Sequence, residues 1–181
     1  MNPYVLLAKQ AVENYIKNGK IISLPKDLPD KFSNKKAGTF ITITKNGQLR
    51  GCVGSYLPTK ENIAQEIIHN AIAASTKDYR FKQIQKKELT ELSYEVYILN
   101  KPKQIQNLDE LDPERYGIIV KTVPENKNGA SLNLKSALLL PNLEGLNTAK
   151  KQFSAACQKG EINPRFEKIA IYKFDAEKYS D

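Results

Sequence analysis

The chain has no tryptophan, one methionine, one histidine and two cysteines, and these shortages exclude whole classes of chemistry. A zinc, iron–sulfur or haem site needs several soft ligands converging on one point, and His69, Cys52 and Cys157 are too few to build one. A carboxylate site for magnesium stays open, but no dense acidic cluster points to one. The expectation is therefore no metal and no cofactor. Two cysteines far apart in sequence also cannot form a disulfide framework. No apolar run approaches the ~18 residues of a membrane-spanning helix, and residues 1–19 lack the apolar stretch of a signal peptide. A cytoplasmic protein with no membrane association is expected.

What is present is ordinary globular material, 40% hydrophobic and 27% charged. A length of 181 residues suits a single domain, at most with a small subdomain grown out of it. The net charge of +8 raises nucleic acid or an anionic ligand as a partner. Against nucleic acid, the doublets Lys35–Lys36, Lys86–Lys87 and Lys150–Lys151 are scattered rather than gathered into one block, which favours a solvated lysine-rich surface.

Asn2-Pro3 has the form of a helix start, and Tyr4, Val5, Ala8, Ala11, Val12, Tyr15 and Ile16 recur at helical spacing up to Gly19. Residues 20–37 carry prolines among charges and read as an extended loop. Residues 39–45 alternate like a strand, Asn46-Gly47 is a strong hairpin turn, and residues 48–53 return. Pro58-Thr59 opens a second helix, whose buried half is marked by Ile63, Ala64, Ile67, Ile68, Ala71, Ile72 and Ala74. Strands follow at 93–99 and 116–122, a polar turn at 124–129, a returning strand at 130–140, a third helix at 146–159 and a closing strand at 168–174. Irregular alternation of strands with about three helices predicts an α+β fold with a mixed, mainly antiparallel sheet.

A two-residue turn sets a register in which Ile43 faces Arg50 and Ile41 faces Cys52, so Arg50 and Cys52 should project from one face. A cation beside a thiol favours the thiolate, as a nucleophilic cysteine requires. Gly51 and Gly54 flank the thiol, and glycine within a strand marks a bulge or a close approach to the backbone. A small buried cysteine in a bulged hairpin, with Arg50 in an ion pair, satisfies the same pattern. His69 falls opposite the apolar face of its helix and should meet water, and Cys157 lies on an apolar stripe. Glu95 interrupts the apolar strand Tyr94-Glu95-Val96-Tyr97-Ile98-Leu99, and a covered carboxylate there needs a partner, for which Arg50 and Arg80 are the candidates. Asp78 and Arg80 sit just past the second helix, in a turn able to reach the hairpin. A structural ion-pair network among these groups is the alternative to a functional site.

The hexapeptide Leu49-Arg50-Gly51-Cys52-Val53-Gly54 resembles the signature of the AMMECR family, Leu-Arg-Gly-Cys-Ile-Gly. The surroundings agree in order: Gly38-Thr39-Phe40, Asn70-Ala71-Ile72-Ala73-Ala74, Asp78-Tyr79-Arg80-Phe81 where the family has Asp-Pro-Arg-Phe, Glu95-Val96, and Leu138-Leu139-Leu140-Pro141. The resemblance implies an α+β fold with a larger subdomain holding both termini and a smaller one beside it. It also implies a place in a three-part system with a Memo-like protein and a radical-SAM enzyme.

Three functional expectations follow. The first is action on a small molecule or peptide, with Cys52 as nucleophile or carrier thiol, Arg50 stabilising negative charge, Glu95 as acid or base, and Gly51, Gly54, Asp78 and Arg80 contacting substrate. The second is a nucleic-acid-binding module, motivated by the net charge and by aromatic residues among lysines. The third is a noncatalytic scaffold that binds a partner through the hairpin.

Overall fold

Asn2 starts the first helix as its sequence suggests, its side chain accepting the Tyr4 N–H at 3.0 Å. Helix α1 (Pro3–Asn18) then ends at Gly19, whose φ of 69° is the left-handed conformation that glycine adopts without strain. The computed structural model describes residues 1–25, 28–124 and 134–180. The chain divides into two compact units, Met1–Leu99 with Glu177–Asp181, and Asn100–Ala176. The larger unit thus holds both ends of the chain.

In the larger unit, residues 20–37 are not wholly extended. After Pro29 a short helix α2 (Asp30–Asn34) buries Phe32, which stacks on Tyr4 of α1 with ring centroids 4.0 Å apart. The hairpin follows as β1 (Gly38–Lys45) and β2 (Gln48–Ser55). Asn46 and Gly47 both take positive φ, 50° and 78°, as the tight two-residue turn requires. Helix α3 begins later than Pro58-Thr59 suggests, running Ile63–Thr76 from an Asn62 cap that accepts the Gln65 N–H at 2.9 Å. The residues before it wrap around a buried carboxylate instead, as described below. Strand β3 (Leu92–Leu99) pairs antiparallel with β1, which also pairs antiparallel with β2.

One face of this sheet, Ile41 and Ile43 of β1 with Tyr94, Val96 and Ile98 of β3, forms the core with α1 and α3. Fully burying each such side chain stabilises the fold by about 1.5–3 kcal/mol. The alanines of α3 allow it to sit close: a Cβ placed on Gly51 of β2 would lie 2.2 Å from the Ala74 carbonyl oxygen. The opposite face carries the polar residues of the same strands.

In the smaller unit, β4 (Lys103–Ile105), β5 (Gly117–Thr122), β6 (Ser136–Leu139) and β7 (Ile169–Phe174) form a second antiparallel sheet in the order β4-β7-β5-β6. Helix α4 (Ala149–Lys159), capped by Thr148, packs on it with Ala156 and Cys157 buried beside Ile118, Val120 and Ile162. Burial pushes the Cys157 thiol pKa up, consistent with a packing role. The expected turn at 124–129 and the start of the strand expected at 130–140 fall largely outside the described residues. Strands β4 and β8 (Ala176–Ser180) were not anticipated. β8 completes the first sheet beside β3, giving the order β2-β1-β3-β8. The α+β class and the mainly antiparallel pairing are as expected, while among the described residues the strands divide into two sheets and α2 joins the helices expected. No helix among the described residues is long and apolar enough to cross a membrane.

Candidate functional site

The hairpin's register differs from the simple alternation by one residue, and that residue is Arg50. Lys45 faces Gln48 and Thr44 faces Leu49, but Ile43 then faces Gly51 and Thr42 faces Cys52. Arg50 has no residue opposite it, and the strand bulges there. The bulge exchanges the faces of everything beyond it. In the unbulged register Cys52 would lie beside Ile41, in the core. With the bulge, Gly51 and Val53 turn inward and Cys52 turns to the polar face, where its Sγ lies 3.4 Å from the Thr42 hydroxyl.

The expected partnership of Arg50 and Cys52 is therefore not formed. The Arg50 guanidinium grips Glu88 instead, with Nε and Nη2 each donating to one carboxylate oxygen at 3.0 Å and Nη1 donating to the Lys82 carbonyl at 2.8 Å. Lys45 adds a second cation at 3.7 Å. The forked bond to Arg50 is the main cause that holds the Glu88 carboxyl down at about 2, well below the usual range. This ion pair ties the bulge to the 3₁₀ turn of Lys86–Glu91.

The residues that do reach Cys52 come from the turn after α3. β2 is the outer strand of its sheet, so the main chain of Cys52 faces away from β1 and needs partners. Asp78 accepts the Cys52 N–H at 2.8 Å, and Arg80 Nη2 reaches the Cys52 carbonyl at 3.4 Å. Arg80 also clasps Asp78 through Nε at 2.9 Å and Nη2 at 2.7 Å. Asp78 is only 6% exposed, and its bonds to Arg80 are the first cause that lowers its pKa to about 2. The Arg80 side chain remains 43% exposed beside the thiol-bearing strand.

Glu95 lies on the same polar face, directly across from Thr42 on β3. Cys52, Thr42 and Glu95 thus form one row over three neighbouring strands, with Cys52 and Glu95 roughly 10 Å apart at the usual strand spacing. Neither candidate arginine is the partner of Glu95. Lys178 of β8 bonds its Oε1 at 2.7 Å, and the Tyr97 hydroxyl donates to Oε2 at 3.1 Å. The bond to Glu95 raises the Lys178 pKa, while burial, then the Glu95 charge, raises that of the Tyr97 phenol. Cys52, Glu95, Asp78 and Arg80 are accordingly assembled on or beside one face, and Arg50 is not.

The two glycines serve packing on opposite sides. Gly51 admits the Ala74 backbone, whereas a Cβ on Gly54 would lie 2.3 Å from the Thr39 carbonyl oxygen and 2.4 Å from the Phe40 ring. His69 is exposed, as its place on the helical wheel suggests.

Sequence reasoning missed Thr42, Tyr97, Lys178, Glu88 and Glu66. Thr42 and Tyr97 were legible as the polar alternates of their strands. Lys178 carries no local signal, because β8 joins the sheet from the far end of the chain. Glu66, 0% exposed, sits within the apolar face of α3 and accepts bonds from the Ser55 and Thr59 hydroxyls and from the Thr59 and Lys60 amides. Desolvation opposes ionisation of Glu66, but these bonds outweigh it and its pKa is lowered.

Residues 5–179 match a family model described as AMMECR1. A protein of Thermotoga maritima is 39% identical over 98% of this chain and 97% of its own length. A protein of Clostridium acetobutylicum is 38% identical over 96% of this chain, but the match occupies only 35% of its length. The crystal structure of an uncharacterized protein from Pyrococcus horikoshii has the same fold, with a TM-score of 0.86 at 30% identity, covering 98% of this chain and 89% of that one.

Proposed function

Because this chain belongs to the AMMECR1 family, we propose that the polar face of its first sheet acts on a small molecule or peptide, with Cys52 as nucleophile or carrier thiol. The observation that carries this reading is the Arg50 bulge. It takes Cys52 out of the core and sets the thiol against a hydroxyl rather than among aliphatic groups. A cysteine kept only for packing gains nothing from that exchange.

In this reading Arg80 takes the part that the sequence suggested for Arg50. Its half-exposed guanidinium is the cation beside Cys52 and meets an anionic group of the substrate. Asp78 fixes both the guanidinium and the Cys52 amide, so it positions rather than reacts. Glu95, held between Lys178 and Tyr97, stands too far from the sulfur for direct proton exchange. It serves as acid or base toward the other end of a substrate laid along the row.

On this reading the protein works with a Memo-like protein and a radical-SAM enzyme, the partners that the family resemblance implies. The test is to combine the three proteins and record the intact mass of this chain after turnover. An adduct on Cys52 that is absent from Cys52→Ser supports the reading. Unmodified protein throughout, with an unchanged product profile from Cys52→Ser, removes it.

A further inference from the structure

A groove on the helical side of the larger unit has no part in the site above. It encloses about 600 Å³ between α1, the segment that follows it and the outer side of α3. That volume lies within the roughly 300–1,000 Å³ of small-molecule sites. Its walls are apolar, supplied by Ile21, Ile22 and Leu24 from the segment and by Ile68 and Ile72 from the helix. Ile21 is 68% exposed, so a good part of that wall faces water until something covers it.

The rim is basic. Lys60, His69 and Lys77 line the groove, and neither lysine side chain forms an ion pair among the described residues. Lys60 precedes the start of α3 and Lys77 follows its end, so they flank His69 along the helix. Burial is the first cause that lowers the His69 pKa, and Lys60 and Lys77 lower it further, whereas Glu66 on the same helix opposes them. Glu66 is itself buried and engaged by Ser55, Thr59 and the Lys60 amide. The Tyr15 phenol is the remaining titratable group in the lining.

We propose that this groove is a second binding site, separate from the Cys52 face, for a small amphipathic anion: an acyl-chain or aromatic body seated on Ile21, Ile22 and Ile72, with a carboxylate beside His69 at the rim that Lys60 and Lys77 make positive. The apolar walls take the body out of water, and the unpaired ammonium groups supply the countercharge. The groove and the thiol lie on opposite sides of the sheet's packed face, so the two can be occupied independently.

His69 is the chain's only histidine, which makes its ring protons an unambiguous nuclear magnetic resonance probe on the full chain. Titration with decanoate should give a saturable His69 shift with one-to-one stoichiometry. The His69 titration midpoint should rise in the complex, because a neighbouring anion favours the imidazolium. Acetate should give no saturable shift, and decyltrimethylammonium should bind at least tenfold more weakly than decanoate. Ile21→Asp, at an exposed position that leaves folding intact, should weaken decanoate binding roughly tenfold or more, as should Lys60→Glu combined with Lys77→Glu. Cys52→Ser should bind decanoate unchanged. The proposal is overturned by no saturable shift up to millimolar decanoate, by equal binding of the cationic amphiphile, or by unchanged binding in the Ile21→Asp protein.

Discussion

The carboxylate of Asp78 accepts the main-chain N–H of Cys52 at 2.8 Å, fastening the turn after α3 to the outer strand of the first sheet. Asp78 titrates at about 2 instead of its ordinary 3.8, chiefly through its bonds to Arg80. The stability it contributes is therefore complete above pH ~4 and is lost as the pH falls toward 2. Discounted for the half-exposed guanidinium, that contribution is about 1–2 kcal/mol. Asp78→Asn should lower stability at pH 7 by about that amount. Urea unfolding at a series of pH values should show a shallower acid limb, and the slope that remains should include Glu88, which also titrates at about 2, and Glu66, whose pKa is lowered as well.

Arg50 and Arg80 differ in what they hold, and substitution should separate them. Arg50→Ala leaves Glu88 enclosed without its forked partner and should cost about 3 kcal/mol in denaturant unfolding. Arg50→Lys keeps the charge but loses the fork, and should cost less. At conditions where both variants remain folded, Arg80→Gln should slow alkylation of Cys52 several-fold and Arg50→Lys should leave it nearly unchanged. Equal effects would return Arg50 to the site.

Gly51→Ala should destabilise by about 3 kcal/mol or more, since its Cβ meets helix backbone at 2.2 Å and neither element yields easily. Thermal unfolding measures this directly. Loss of partner binding in such a variant is therefore no evidence for a binding surface at Gly51, because the contact is interior.

Glu66→Gln should cost about 2–3 kcal/mol. The amide offers one acceptor oxygen where the carboxylate receives four hydrogen bonds, and its NH2 group meets donors. Hydrogen exchange should quicken at the Thr59 and Lys60 amides in the variant.

Much of the fold was legible because it follows from periodicity. The apolar spacing from Tyr4 to Ile16 and from Ile63 to Ala74, the Asn46-Gly47 turn and the run Tyr94 to Leu99 each name their element and their buried side. The site was less legible because it depends on one inserted residue. Nothing in the alternation of residues 48–55 marks Arg50 as the bulge, yet the bulge decides whether Cys52 lies in the core or outside it. Glycine at 51 was the available signal, since a strand glycine marks a bulge or a close backbone, and here it sits next to the first and makes the second. The partners of Glu95 were beyond local reasoning, because Lys178 arrives on a strand whose pairing only the tertiary fold determines.

The most direct measurement is alkylation of the native chain with iodoacetamide, with Cys52 and Cys157 followed separately by peptide mass. Cys157 is 5% exposed, with its thiol pKa pushed up by burial, and serves as the internal standard for a packed cysteine. A thiol on the polar face predicts rapid modification of Cys52 while Cys157 stays protected until the protein unfolds. Protection of Cys52 equal to that of Cys157 in the folded state would place its sulfur within the packing and remove the thiol from the chemistry of this protein.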